Sequence, residues 1–540
     1  MALLPRRAWR GEARIASAAA GARPPRGGDA RADGRSRADD RSLPGIGPEF
    51  SASLCGAAPG RVGGAGRGRG GHVTDLVTVL PELILSGTAA VLILVARRVR
   101  RARSAAPWVV VAAVAAAFSL WAFSPATSMT GFGGTIASDR YARFFSLLFS
   151  GNLALAALLS VRHLDSERVQ PAEYFALLLL ASTGMMFAVA AVDLLILYLG
   201  LELMTLCSYV LVGIVRDKPA GNEASIKYFF LGSFASALLL YGIALTYGVT
   251  GATDFSAIAS TVSRNGVTRH PMLLAGVGLV SGGLAFKIAA VPFHAWAPDV
   301  YQGAMAPVAA FLSAGSKAAG LAAFVRVCLV AFAPEQRIWS VMVVALAALS
   351  VMTGSLLAIS QSRMKRMLAY SSIAHAGYAL LGLVPGTPEG ASATMTYAFV
   401  YAFMTLGAFG VVIALGPRGE NLNGYRGLST TAPGTAAVMF LFLLSLTGIP
   451  PTAGFTAKFA VILSAVRAGY IGLAVLAVSC SVVSAFFYLR VAVLMYMTEP
   501  QESESARLPV SVVAALAIAA AVTIVGGIFP NTLAVWAIPP

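Results

Sequence analysis

The chain has 540 residues, 57% of them hydrophobic and only 12% charged, against roughly 25% charged residues in a soluble globular protein. That composition excludes a soluble domain and implies a polytopic membrane protein. The net charge of +16 is unevenly spread: residues 1–72 hold thirteen Arg and six Asp/Glu, and the remaining excess lies in short basic clusters between hydrophobic runs. Such clusters orient membrane helices, and no basic soluble face suited to nucleic acid is visible. The four cysteines, Cys55, Cys207, Cys328 and Cys480, form no CxxC and three lie inside hydrophobic runs. They read as small packing groups, not as iron–sulfur ligands.

Residues 1–72 are rich in Arg, Gly, Ala and Pro without apolar periodicity, and read as a disordered extension that lacks the hydrophobic region of a secretory signal. The expectation is that the native product starts near Val73. From Leu76 onward, fourteen hydrophobic stretches are long enough to cross about 30 Å of hydrocarbon: 76–96, 107–123, 141–161, 171–190, 192–215, 225–249, 272–294, 304–332, 338–360, 367–384, 393–415, 434–463, 470–497 and 508–530. Basic loops follow the odd-numbered spans, at 97–103, 162–168, 216–218 and 363–367, so the positive-inside rule places those loops in the cytoplasm and both termini on the outer side. The loop at 250–271, with Arg264 and Arg269, departs from this pattern.

The chemistry is expected from ionisable groups inside these spans, because a Lys near mid-bilayer costs roughly 2.5 to 3.5 kcal/mol and is retained for use. Glu202 falls near the middle of the fifth span. Lys227 opens the sixth and either snorkels to the interface or pairs with Glu202 from the adjacent helix. Lys287 precedes Pro292 and Pro298, which must break the seventh span and leave a hydrated spot beside the lysine. His294 stands seven residues further on, on the same side if the helical turn persists, and is a relay or a structural hydrogen-bonding group. Lys317 lies among small residues in LSAGSKAAGLAAF. In the second half, Lys458 follows another break at Pro450, Pro451 and Gly454, and His375, a weaker candidate, lies in the tenth span. Recurrence of a broken helix with a buried lysine suggests duplication, and repeats of five spans must lie inverted relative to one another. The reading is an all-α polytopic membrane protein: helices 1–3 in 73–170, a first repeat of helices 4–8 in 171–332, a second of helices 9–13 in 338–497, and helix 14 with a tail in 508–540. Protons are expected to reach Lys287 with Lys317 and His294, then Lys458, before release outside.

The stretch AFKIAAVPFHAWAPDVYQGA at 285–304, followed by PVAAFLS and Lys317, closely resembles the signature of the subunit N family of bacterial NADH-quinone oxidoreductase, respiratory complex I. LPELIL at 80–85, EASIKYFFLGS at 223–233, RMLAYSSIAHAGY at 366–378 and GIPPTAGFTAKF at 448–459 are similar to the same family. The resemblance implies an antiporter-like subunit of fourteen helices with two inverted five-helix repeats, in a bacterial plasma membrane beside the other membrane subunits of complex I. By motif position it implies that Glu202, Lys227, Lys287, His294, Lys317 and Lys458 form a central polar line, with a weaker implication for His375. No GxGxxG, P-loop or cysteine cluster is present, so NADH, FMN, iron–sulfur clusters and quinone are expected in partner subunits. Redox work is expected to arrive through the charge state of a Glu202/Lys227 pair. The alternative is a subunit of a multi-subunit cation/proton antiporter.

Overall fold

The computed structural model describes residues 75–540, apart from 100, 123–127, 168, 266–269 and 501–507. The extension expected at 1–72 and Arg269 therefore lie outside the described residues. The described chain is helical except for one short antiparallel hairpin, β1 (Met129–Gly131) and β2 (Ile136–Ser138). Its helices are α1 (Leu80–Leu94), α2 (Ala102–Ala122), α3 (Arg140–Glu167), α4 (Pro171–Ala190), α5 (Leu194–Val212), α6 (Pro219–Thr250), α7 (Phe255–Asn265), α8 (Pro271–Lys287) and α9 (Trp296–Gly303). The unbroken stretch Ala306–Ala331 is α10. It is followed by α11 (Gln336–Ile359), α12 (Met364–Leu383), α13 (Pro388–Leu415), α14 (Pro433–Thr447), α15 (Ala453–Arg467), α16 (Ile471–Tyr496) and α17 (Val510–Ile528).

Every one of the fourteen expected spans has a counterpart. Among the described residues, ten helices are long and apolar enough to cross a membrane. The other four spans depart for visible reasons. Helix α1 has only fifteen residues. Helix α12 carries Lys365, Arg366, Ser371, Ser372 and His375, which lower its hydropathy. The seventh and twelfth spans are each interrupted, α8 ending at Lys287 and α14 at Thr447.

The interruptions fall where proline and backbone chirality require them. After Lys287, Ala289 adopts a left-handed conformation, and Val291–Pro292 is a cis peptide; after Thr447, Gly448 has φ +86° and Pro450–Pro451 is cis. Backbone groups released by the first break find partners inside the protein. The Val291 N–H donates to Ser350 Oγ at 2.9 Å, and the Trp296 indole N–H donates to the Phe286 carbonyl at 3.0 Å. Helix α10 is buried from Ala306 to Cys328, and its α-helical turns give way to π turns at Leu312–Ser316, just before Lys317, and at Val327–Ala331.

Helices buried on all sides pack by bringing backbones together, and those meant for lipid present an apolar outer stripe. On α2 that stripe is Trp108, Val111, Val114, Phe118 and Trp121, all exposed at helical spacing. Helices α4 and α5 meet instead through Gly184 and Gly200: a Cβ on Gly184 would lie 2.5 Å from the Met204 nitrogen and 2.7 Å from the Gly200 oxygen. Backbone cannot retreat as a flexible side chain can, so overpacking here costs about 1–3 kcal/mol. Gly184→Ala is expected to lower the thermal unfolding midpoint of the detergent-solubilised protein, whereas alanine at Gly278, whose added Cβ meets nothing within 4 Å, leaves it unchanged.

Candidate functional site

Lys287 ends α8, where unsatisfied carbonyls make the helix terminus hospitable to a cation. It is 3% exposed. Its Nζ donates to Glu202 Oε1 at 3.1 Å, to Thr205 Oγ1 at 2.8 Å and to Ser236 Oγ at 3.3 Å. Ser236 also donates to Glu202. The carboxylate from α5, hydroxyls from α5 and α6 and the ammonium from α8 thus form one closed cluster. This corrects the expected Glu202/Lys227 pair.

Lys227 lies elsewhere. Its side chain is 45% exposed and contacts Glu223 at 2.6 Å and Asp299 at 3.1 Å. Asp299 in turn accepts from Arg366 at 2.7 Å. Although burial alone would push the Asp299 carboxyl up, Arg366 and Lys227 hold it below its ordinary value. These groups line a polar vestibule of about 370 Å³, together with Lys218, Lys365 and Glu420. Sequence reasoning failed over Lys227 because one residue near the start of a helix does not reveal which neighbour it faces. Asp299 thereby ties α9, just after the first break, to α6 through Lys227 and to α12 through Arg366.

Lys317 is buried and donates to Ser372 Oγ at 2.6 Å, with the Tyr301 ring 5.8 Å away. One turn further along α10, a Cβ added to Gly320 would come within 3.0 Å of the Lys287 Cβ, so α10 packs directly against the first cluster. His294 does not join it. Helix α8 ends at Lys287, so the assumption of a continued turn fails, and among the described residues no hydrogen bond or ion pair joins His294 to either lysine.

His375, the weaker candidate, occupies the centre instead. Its Nδ1 lies 2.7 Å from the Tyr397 hydroxyl and its Nε2 lies 3.2 Å from the Tyr488 hydroxyl, and Tyr488 also contacts Ser371. A cavity of about 20 Å³, room for one water, is lined by Lys317, His375, Tyr397 and Tyr401. The Tyr401 hydroxyl is buried beside that cavity. Past His375, the Tyr378 ring centre lies 6.0 Å from the imidazole and 4.6 Å from Lys458 Nζ. Lys458 donates to the Leu446 and Thr447 carbonyls at 3.1 and 2.9 Å, which are freed where α14 stops, and to Ser481 Oγ at 3.1 Å.

The resulting file runs from Glu202 and Lys287 through Lys317 and Ser372, then His375 with its tyrosines, to Lys458. Of the residues singled out in the sequence it gathers Glu202, Lys287, Lys317, His375 and Lys458, and leaves out Lys227 and His294. The residues missed were Thr205, Ser236, Ser372, Tyr397, Tyr488 and Tyr378. Ser371, Ser372 and His375 share one face of α12 at helical spacing, a signal that was available. Each group in this file can donate or accept a hydrogen bond, but among the described residues no direct one joins Lys287 to Lys317, Ser372 to His375 or His375 to Lys458.

Comparisons with known proteins place the chain in a family and a fold. Residues 191–484 match the family described as NADH:quinone oxidoreductase/Mrp antiporter, TM. NADH-quinone oxidoreductase subunit N 2 of Rhizobium meliloti is 44% identical over 460 residues, which cover 84% of this chain and 94% of that protein. Among solved structures, a chain of respiratory complex I from Thermus thermophilus with bound aureothin superposes with a TM-score of 0.73 at 33% identity, covering 84% of this chain and 98% of that one. A chain of the Mrp complex from a Dietzia species superposes with a TM-score of 0.75 at 22% identity, over 86% of this chain and 96% of that one, and shows the fold alone. The chain belongs to the NADH-quinone oxidoreductase subunit N family.

Proposed function

We propose that this chain is the subunit N of a proton-translocating NADH:quinone oxidoreductase, and that the buried file is its proton path. The observation that carries the reading is the Lys287 cluster, an ammonium and a carboxylate held together inside the bundle at the end of a broken helix. Breaking a buried pair by removing one partner costs about 3–5 kcal/mol, whereas apolar replacement of both is often neutral, so packing alone does not account for it. Protons are taken up at the vestibule, pass to Lys287 and Glu202, move laterally through Lys317 and His375, and leave from Lys458. The basic residues Lys218 and Arg363 at helix N-caps and Lys365 and Arg366 in the first turn of α12 line that vestibule, which supports placing it on the cytoplasmic side of a bacterial plasma membrane, with both termini outside. Residues 171–332 and 338–497 act as inverted repeats, each supplying one broken helix and one lysine beside the break, flanked by helices 1–3 in 73–170 and by helix 14 with its tail in 508–540.

Neither NADH, FMN, iron–sulfur clusters nor quinone is assigned to this chain; those belong to partner subunits of the complex, which supply the work by changing the balance of the Glu202/Lys287 pair. Transport against the field requires about 2.3 kcal/mol per charge per 100 mV. The cation/proton antiporter reading is less well supported, because ammonium groups occupy the buried stations where an alkali cation would need a cage of oxygens.

Lys287→Ala, in the purified complex reconstituted into proteoliposomes, is expected to abolish most NADH-driven acidification measured with a pH-sensitive dye. Wild-type proton-to-electron stoichiometry in that variant would refute the path. His375→Ala leaves the Glu202/Lys287 cluster intact and cuts the lateral step, so it is expected to lower the same stoichiometry; unchanged pumping would show that the two halves do not exchange protons through the imidazole.

A further inference from the structure

Arg326 is a buried charge that the proton path does not use. It lies on α10 nine residues beyond Lys317, about 13 Å along the helix axis, toward the end opposite the vestibule. It is 1% exposed. Its guanidinium pairs with Asp139, reaches the Ala191 carbonyl at 3.4 Å, and lies 5.0 Å over the Tyr141 ring. Its Nε has no hydrogen-bond partner. Tyr141 clamps the same place by donating to the Ala322 carbonyl at 2.8 Å.

The partner is wetter than the arginine. The Asp139 side chain is 25% exposed and lines a surface cavity of about 220 Å³ with Ser128, Arg140 and Arg143. Asp139 also caps α3, accepting from the Ala142 N–H at 2.7 Å. The pair therefore lies between a surface indentation and the buried part of α10 that carries Lys317. A guanidinium keeps its proton in proteins, so it cannot serve as a relay station. A fixed positive charge across a narrow passage excludes protons and other cations.

We infer that Arg326 is an electrostatic plug that closes the first half on the side away from the vestibule and so directs protons laterally toward Lys458. Asp139 holds the plug from its solvent side. The inference rests on the proton-path reading, and explains why a half with its own lysines and vestibule would hand its proton on rather than release it directly. A purely structural clamp between α3 and α10 is the competing account, and the two differ in what the charge does.

The test measures passive proton leak into proteoliposomes of the whole complex, without NADH, under a potassium diffusion potential. Arg326→Gln is expected to raise the leak by roughly tenfold, the low end of what fixed charge does to local ion concentration in a low-dielectric passage. Asp139→Asn leaves the positive charge in place and is expected to leak like the wild type. The double variant Arg326→Gln/Asp139→Asn strands no buried charge, which guards against misfolding, and is expected to leak as the single Arg326 variant does. A wild-type leak in both glutamine variants overturns the plug, and a leak in Asp139→Asn equal to that of Arg326→Gln shows a packing clamp instead. Failure of the proton path itself would appear in pumping by the Lys287 variant and not in this resting leak.

Discussion

The arrangement depends on one constraint: an ammonium group inside hydrocarbon must be met by oxygen, and a helix that stops inside the membrane supplies oxygen. An uninterrupted helix spends its carbonyls on its own amides. A broken one frees the last few, and at Lys458 the structure uses them directly, with the Leu446 and Thr447 carbonyls both accepting from Nζ. Lys287 lies on the other side of its own break, as the last residue of α8, whereas Lys458 lies in the helix after its break, and the Lys287 oxygens come from the side chains of Glu202, Thr205 and Ser236. The prolines, the left-handed Ala289 and Gly448 and the lysines are therefore parts of one device.

Much of that device was legible in the sequence. Hydropathy marked the fourteen spans because lipid leaves the chain little freedom, and Pro292, Pro450 and Pro451 marked the breaks because proline has no N–H to offer a helix. Lys287, Lys317 and Lys458 stood out because a charge is rare in such runs. What the sequence could not convey was which helix faces which. Adjacency in the chain pairs Glu202 with Lys227, and only the packing of α5, α6 and α8 shows that Lys287 is the lysine that reaches it while Lys227 meets Asp299 instead. His294 was misplaced by treating the break as a continuing helix. The tyrosines around His375 were missed for a different reason: on a buried helix, Tyr397 and Tyr488 look like ordinary core aromatics, and only the imidazole between their hydroxyls gives them a further role.

Small residues set how closely the stations approach. Gly320 lets α10 lie against Lys287, and a side chain there would wedge Lys317 away from the first cluster. The π turns at Leu312–Ser316 have a related effect, since a wider turn shifts the register of the residues after it, and Lys317 is the next one. Transfer between groups by hydrogen-bond exchange falls off steeply with separation, so on the proposed path these unreactive positions would decide whether the reactive ones communicate.

The two halves each place a lysine beside a broken helix but differ in electrostatics, and on the proposed path this difference would give the file a direction. Lys287 has a carboxylate within its cluster, whereas Lys317 touches a hydroxyl and an aromatic ring, and Lys458 touches two carbonyls and a hydroxyl. A proton on the first station is balanced locally; one on the later stations is not. Like charges repel strongly where water is scarce, so occupying Lys317 opposes occupying Lys458, and His375 between them can receive only when one neighbour is empty. Its two ring nitrogens are each held by a tyrosine hydroxyl, so the imidazole can take a proton on one side and yield it on the other without turning. On the proposed path, a change in the Glu202/Lys287 balance at one end would reach Lys458 through successive occupancies of Lys317 and His375.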